Sequence, residues 1–154
     1  MRIAVFDSKR YDRAALTKAN TEFGHKLEFF EDRLNRSTVP LAAGFDAVCP
    51  FVNDRVDAAT IEELARLGVK LITLRSAGFN SVDINAAAQH GIKVMRVPAY
   101  SPEGVAEHVF ALLLTLVRPT HRAYVRVRDG NFSLEGLVGF NLHGRTFGVV
   151  GAGK

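Results

Sequence analysis

The 154-residue sequence has one cysteine, Cys49, so no internal disulfide framework can brace it. Cys49 lies in the apolar run Ala47-Val48-Cys49, where a small buried hydrophobe is the natural role. No run is both long and apolar enough to span a bilayer. The most apolar stretch, Val105 to Val117, contains Glu107, His108 and Thr115. The opening, Met1-Arg2-Ile3-Ala4-Val5-Phe6-Asp7, meets charge too early for a secretory signal. Lysine and arginine form no dense block and the formal charge is only +4, which argues against a nucleic-acid partner. The histidines, His25, His90, His108, His121 and His143, show no metal-ligand spacing with Cys49 or an acid. Without a signal, Asn35-Arg36-Ser37 and Asn131-Phe132-Ser133 read as chance matches to the glycosylation pattern. The remaining expectation is a soluble, cytoplasmic, globular protein with no membrane partner.

Short apolar runs alternate with helical patterns. Strands are expected at Ile3 to Phe6, Lys26 to Phe30, Asp46 to Cys49, Val69 to Arg75 and Lys93 to Val97. Helices are expected at Tyr11 to Phe23, after the cap Asp57, and from Val82 to His90, with one helical turn near Ser37 to Ala43. Glu62 and Arg66 are spaced to pair on a wet helix face. Gly24, Gly68 and Gly91 are the natural helix stops. Strand and helix alternating with short links predict an open parallel sheet covered on both faces.

The rest of the chain changes character. Ser101 can cap a helix whose first position is Pro102. Val105 to Val117 is apolar nearly all round, which predicts burial between two bodies. Pro119 interrupts it, and a more polar helix follows from about Thr120 to Asp129. Thr146 to Val150 reads as a strand leading into Gly151-Ala152-Gly153-Lys154. A strand running into Gly-x-Gly is how a dinucleotide-binding turn begins, although so short a motif is equally an ordinary glycine turn.

Several blocks in order resemble one family. They include Leu74-Arg75-Ser76-Ala77-Gly78-Phe79-Asn80, Val97-Pro98-Ala99-Tyr100-Ser101-Pro102-Glu103, Val105-Ala106-Glu107-His108 and Gly151-Ala152-Gly153-Lys154. On these the chain resembles the D-isomer-specific 2-hydroxyacid dehydrogenases, most of all their fermentative D-lactate branch. The resemblance implies α/β architecture: a flavodoxin-like open parallel sheet over residues 1–98, the substrate-side domain, completed in the family by a far C-terminal segment. Residues 99–154 would then hold interdomain helices and the start of a Rossmann NAD-binding domain. It also implies a cleft between the domains and a homodimer.

The same resemblance assigns roles. The backbone amides of Ala77 and Gly78 would hold the carboxylate of a small 2-keto or 2-hydroxy acid, at the C-terminal strand end where open α/β sheets bind ligands. Read without it, this segment is a plain strand-to-helix loop. Tyr100 would line the pocket near the nicotinamide, with hinge packing as its other reading. Phe51 would close the apolar side of the substrate, with ordinary core as its other reading. Pro50 departs from the family's usual branched apolar residue there. Tyr100, Val105, Gly151 and Gly153 would touch NAD. Glu107 and His108 are adjacent and diverge on a helix, so they are not a catalytic pair.

In the family an arginine clamps the carboxylate, and a glutamate-paired histidine moves the proton. All three match positions beyond Lys154, so no catalytic residue is assigned here, and this chain alone is expected to be inactive. Two other readings compete. One is a receiver-like module with Asp7 as phosphoacceptor, opposed by Pro50-Phe51 where a second aspartate would stand. The other is a non-catalytic form that dimerises with or regulates the intact enzyme.

Overall fold

A computed structural model describes residues 1–151. The chain forms two compact units, one from Met1 to Tyr100 and one from Ser101 onward.

In the first unit, β1 (Arg2–Val5), α1 (Arg10–Asn20), β2 (Lys26–Phe29), a 3-10 turn (Val39–Ala42), β3 (Ala47–Cys49), α2 (Ala58–Arg66), β4 (Leu71–Thr73), α3 (Ile84–Gln89) and β5 (Lys93–Met95) follow in order. The five strands make one parallel sheet ordered β2-β1-β3-β4-β5. This is the expected flavodoxin-like topology, with four strands trimmed to the residues that have ladder partners and β1 shifted one residue earlier, to start at Arg2.

Alternation along the strands divides the sheet's faces. Ala4, Phe6, Val48, Ile72 and Leu74 join Ile61 and Leu64 of α2 and Ala86 and Ala87 of α3 in one buried cluster. Ile3, Val5, Cys49 and Thr73 face the opposite way, toward Leu16 and Ala19 of α1, and line an apolar depression of about 330 Å³. The helices are capped where the sequence offers an acceptor. Asp57 Oδ1 accepts from Thr60 N at 3.1 Å, and Asp83 Oδ1 accepts from Ala86 N at 3.0 Å. The Asp83 cap starts α3 two residues later than the apolar pattern suggested. Gly68 ends α2's turn at φ +89, a conformation that strains any residue with a Cβ.

Arg66 pairs with Glu63, not with the expected Glu62, donating from Nε to Glu63 Oε2 at 2.8 Å. Three-apart and four-apart residues are both neighbours on a helix, and here the nearer acid has the shorter reach.

Cys49 is buried, and loss of solvation pushes its thiol up to about 11, against the opposing pull of the Arg75 charge. Below that pH the reactive thiolate is scarce. Disulfide reagents at pH 8 are therefore expected to leave Cys49 unmodified in the folded chain and to label it fully in denaturant. Stoichiometric labelling of folded protein within minutes would contradict the buried placement.

The second unit holds α4 (Pro102–Val117) and α5 (Thr120–Arg128). Ser101 caps α4, its Oγ accepting from Gly104 N at 3.1 Å. Two expectations are corrected here. Most apolar side chains of α4 are not buried: Val105, Val109, Phe110, Leu112, Leu114 and Leu116 are exposed in this chain, and Val117 alone among them is buried. Apolar character all round creates a demand for cover without supplying one. Residues 146–150 do not form a strand. An isolated apolar run has β-propensity but no ladder, and strand structure needs a hydrogen-bonded neighbour.

Candidate functional site

The C-terminal ends of β1, β3 and β4 lie side by side, because these strands are adjacent and parallel. The residues just past them are Asp7, Phe51 and Arg75 with its following loop. Each strand end therefore delivers polar or aromatic groups to one edge of the sheet, where open α/β sheets bind ligands.

Past β1, Asp7 is buried in a left-handed backbone conformation, φ 43, uncommon for a residue with a side chain. Lys9 Nζ reaches Asp7 Oδ1 at 2.6 Å and Arg33 Nε lies 3.7 Å from Oδ2. The hydrogen bond to Asp7 holds the Lys9 ammonium pKa above its ordinary value. With two cations against its carboxylate, Asp7 is engaged as a structural anchor.

Past β3, Pro50 is buried and Phe51 half-buried. A reciprocal turn fixes the Phe51 backbone: Phe51 N donates to Asp54 Oδ2 at 2.8 Å and Asp54 N donates to Phe51 O at 3.0 Å. Asp54 is buried, and desolvation raises its carboxyl pKa, opposed mainly by the Phe51 amide. Its Oδ1 finds no donor among the described residues.

Past β4, Arg75 carries its guanidinium back across the strand ends. Nη1 lies 2.9 Å from Asp12 Oδ1, in an ion pair too oblique to be a hydrogen bond. Nη2 donates to the carbonyl of Phe6. The guanidinium carbon sits 4.7 Å from the centre of the Phe51 ring. Both charged side chains are nearly enclosed, 11% exposed for Arg75 and 10% for Asp12. Asp12 itself is held at the start of α1, its Oδ2 accepting from Lys9 N at 2.9 Å.

The loop after Arg75 is pinned from both sides. Ser76 Oγ donates to Gly78 O at 2.7 Å, Val97 N donates to Ser76 O at 3.1 Å, and Arg96 Nη1 donates to Ala77 O at 2.9 Å. The carbonyls of the loop are thus occupied. The amide N–H groups of Ala77 and Gly78 donate to nothing among the described residues. Gly78 is exposed, and a Cβ placed on it would meet nothing within 4 Å. Tyr100 is 65% exposed and follows Val97, which is tied to the same loop.

The structure thus brings Phe51 to the residue that begins the Ala77-Gly78 loop. It leaves the loop amides without an acceptor among the described residues, and Tyr100 exposed. Val105 is 53% exposed on the first turn of α4, in the second unit. Gly151 has φ +90 and nothing within 4 Å of where a Cβ would stand. Gly153 lies outside the described residues. The Arg75–Asp12 pair was missed in sequence. The available signal was an arginine closing an otherwise apolar strand pattern, a position that demands a buried partner.

Among the described residues no group of acids, histidines or cysteine is placed to hold a metal ion, and no helix is long and apolar enough to cross a membrane.

Comparison with known proteins agrees with this geometry. Residues 3–140 match the family of the D-isomer specific 2-hydroxyacid dehydrogenase, catalytic domain. A 2-hydroxyacid dehydrogenase homolog of Haemophilus influenzae is 55% identical over 154 residues, covering 100% of this chain and 46% of that protein. The D-lactate dehydrogenase of Escherichia coli is 53% identical, covering 100% of this chain and 47% of that protein. The apo structure of D-lactate dehydrogenase from Escherichia coli superposes with a TM-score of 0.93 over 99% of this chain and 48% of that one. The chain spans about half the length of these relatives. It belongs to the D-isomer specific 2-hydroxyacid dehydrogenase family.

Proposed function

We propose that this chain supplies the substrate-side part of an NAD-dependent D-2-hydroxyacid dehydrogenase of the D-lactate type, acting on a small 2-keto acid such as pyruvate. The observation that carries the reading is the pair of acceptor-free amides at Ala77 and Gly78, at the ligand-binding end of a parallel sheet. Two free N–H donors side by side can hold a carboxylate without a second formal charge, and the loop that carries them is tied through its carbonyls. Phe51 and Tyr100 are the proposed apolar and mixed walls of the substrate pocket.

When bound, NAD in its reduced form would supply a hydride for C2 of the keto acid, the proton for the carbonyl oxygen coming from the family's acid histidine, which matches no residue of this sequence. Tyr100, Val105, Gly151 and Gly153 are the proposed contacts to NAD. Of these, Gly151 has a positive φ, a conformation that favours glycine, and Val105 has an exposed side chain. The start of a Rossmann domain after residue 99 belongs to this proposal, as does a cytoplasmic location. A homodimer belongs to it too, supported by the row of exposed apolar side chains on α4. The same row would serve a form of the chain that regulates an intact enzyme by pairing with it.

Titration of isotope-labelled chain with millimolar pyruvate tests the reading. The amide signals of Ala77 and Gly78 are expected to shift, and Gly78→Ala is expected to weaken the response without loss of fold. The added methyl meets no protein atom within 4 Å, so only the open approach is narrowed. Its effect on stability should lie within about 1 kcal/mol of zero. Adding NADH to the same sample should leave pyruvate unconsumed, since no residue of this sequence matches the family's catalytic arginine, glutamate or histidine. Unmoved Ala77 and Gly78 signals would remove the substrate-site reading, and NADH oxidation would remove the expectation of inactivity.

A further inference from the structure

Arg75 is an unusual residue to enclose. A guanidinium taken out of water is costly unless its charge and its donors are met. Here the charge is met by Asp12 and one donor by the Phe6 carbonyl, the Phe51 ring lies under the guanidinium carbon at 4.7 Å, and Nε and Nη1 donate to nothing among the described residues. These three contacts come from α1, from the end of β1 and from the segment after β3. They fix the guanidinium plane in three directions.

The Phe51 backbone is held by its turn with Asp54, but that turn does not choose the ring's rotamer. That ring lies against the Arg75 guanidinium. Arg75 is also the residue immediately before Ser76, Ala77 and Gly78. One side chain and the loop it begins therefore link the ring of Phe51 to the two free amides. We propose that Arg75 is a positioning residue that sets the spacing between the Phe51 ring and the Ala77-Gly78 amides, and so limits the side-chain size of the 2-keto acid accepted. This rests on the reading of the loop given under Proposed function.

Lysine separates the two properties of Arg75. It keeps the positive charge beside Asp12 but has no planar face to stack on a ring. In Arg75→Lys the Phe51 ring signals are expected to move or broaden in carbon–proton NMR, while methyl signals of Ile72, Leu64 and Val48 stay in place. A stack of this kind is worth about 1 kcal/mol when partly enclosed, so pyruvate affinity at the loop should fall roughly fivefold. The preference for pyruvate over the bulkier 2-ketoisocaproate should narrow in the same variant.

Phe51→Leu provides a second variant if Arg75→Lys does not fold. Phe51 is half-buried and its loss leaves the Arg75–Asp12 pair whole. The Nε–H signal of Arg75 should then lose its ring-current shift, and the size preference should narrow as before. Unchanged Phe51 signals in folded Arg75→Lys, or an unchanged Nε–H signal in Phe51→Leu, would overturn the stacking role. Altered ring signals with unaltered size preference would overturn its consequence for selectivity. If pyruvate moves neither amide in the parent chain, the substrate reading and the selectivity role fall together, while the ring signals still decide the stacking role.

Discussion

Arg75→Met is expected to lower the unfolding free energy by about 3–5 kcal/mol, as breaking a buried ion pair from one side does. Methionine fills much of the volume, so the loss is chiefly electrostatic. It strands the Asp12 carboxylate, only 10% exposed, and frees the Phe6 carbonyl that Nη2 satisfied. Asp12→Asn should be damaging for the mirror reason, leaving the guanidinium uncompensated. The double variant Asp12→Asn/Arg75→Met should cost clearly less than the sum of the two, because neither charge is then left alone. Urea denaturation of the four proteins measures this directly. A loss below about 1 kcal/mol for Arg75→Met would mean the pair behaves like one on a wet surface.

Phe6→Ala should be comparably severe, about 3–5 kcal/mol, by removing a large side chain from a site that cannot collapse. Phe6 is fully buried and stacks on Phe30 with ring centres 5.1 Å apart; Phe30 in turn meets Phe45 edge-on at 6.0 Å. The ring sits just past β1 in the cluster shared by the sheet, α2 and α3. Its carbonyl is the acceptor for Arg75, so a backbone shift there also loosens the candidate site. Phe6→Leu, which keeps much of the volume, should recover over half of the loss. Thermal or urea unfolding checks the pair, and equal stability of Phe6→Ala and the parent chain would contradict the packing described.

Much of the first unit was legible because its signals are local. Apolar runs such as Ala47-Val48-Cys49, the cap Asp57 and the glycine after α2 act within a few residues of where they sit. The parallel order followed from the alternation of strands and helices. What local signals could not carry was choice among partners. Glu62 and Glu63 were both within reach of Arg66, and only the packed helix selected Glu63. Residues 146–150 had the composition of a strand but no neighbour to bond with. The apolar α4 promised burial, which depends on what covers it.

For the candidate site, the sequence by itself determined which segments follow the strands, and motif resemblance marked Phe51, Ala77, Gly78 and Tyr100. Only the tertiary structure decided that Arg75 reaches back to Asp12, 63 positions away along the chain, and stacks on Phe51. It also decided that the loop carbonyls are tied while the Ala77 and Gly78 amides are left free. The reason is that helices, strands and caps form through neighbours in sequence, whereas a buried charge finds its partner through the order in which strands assemble.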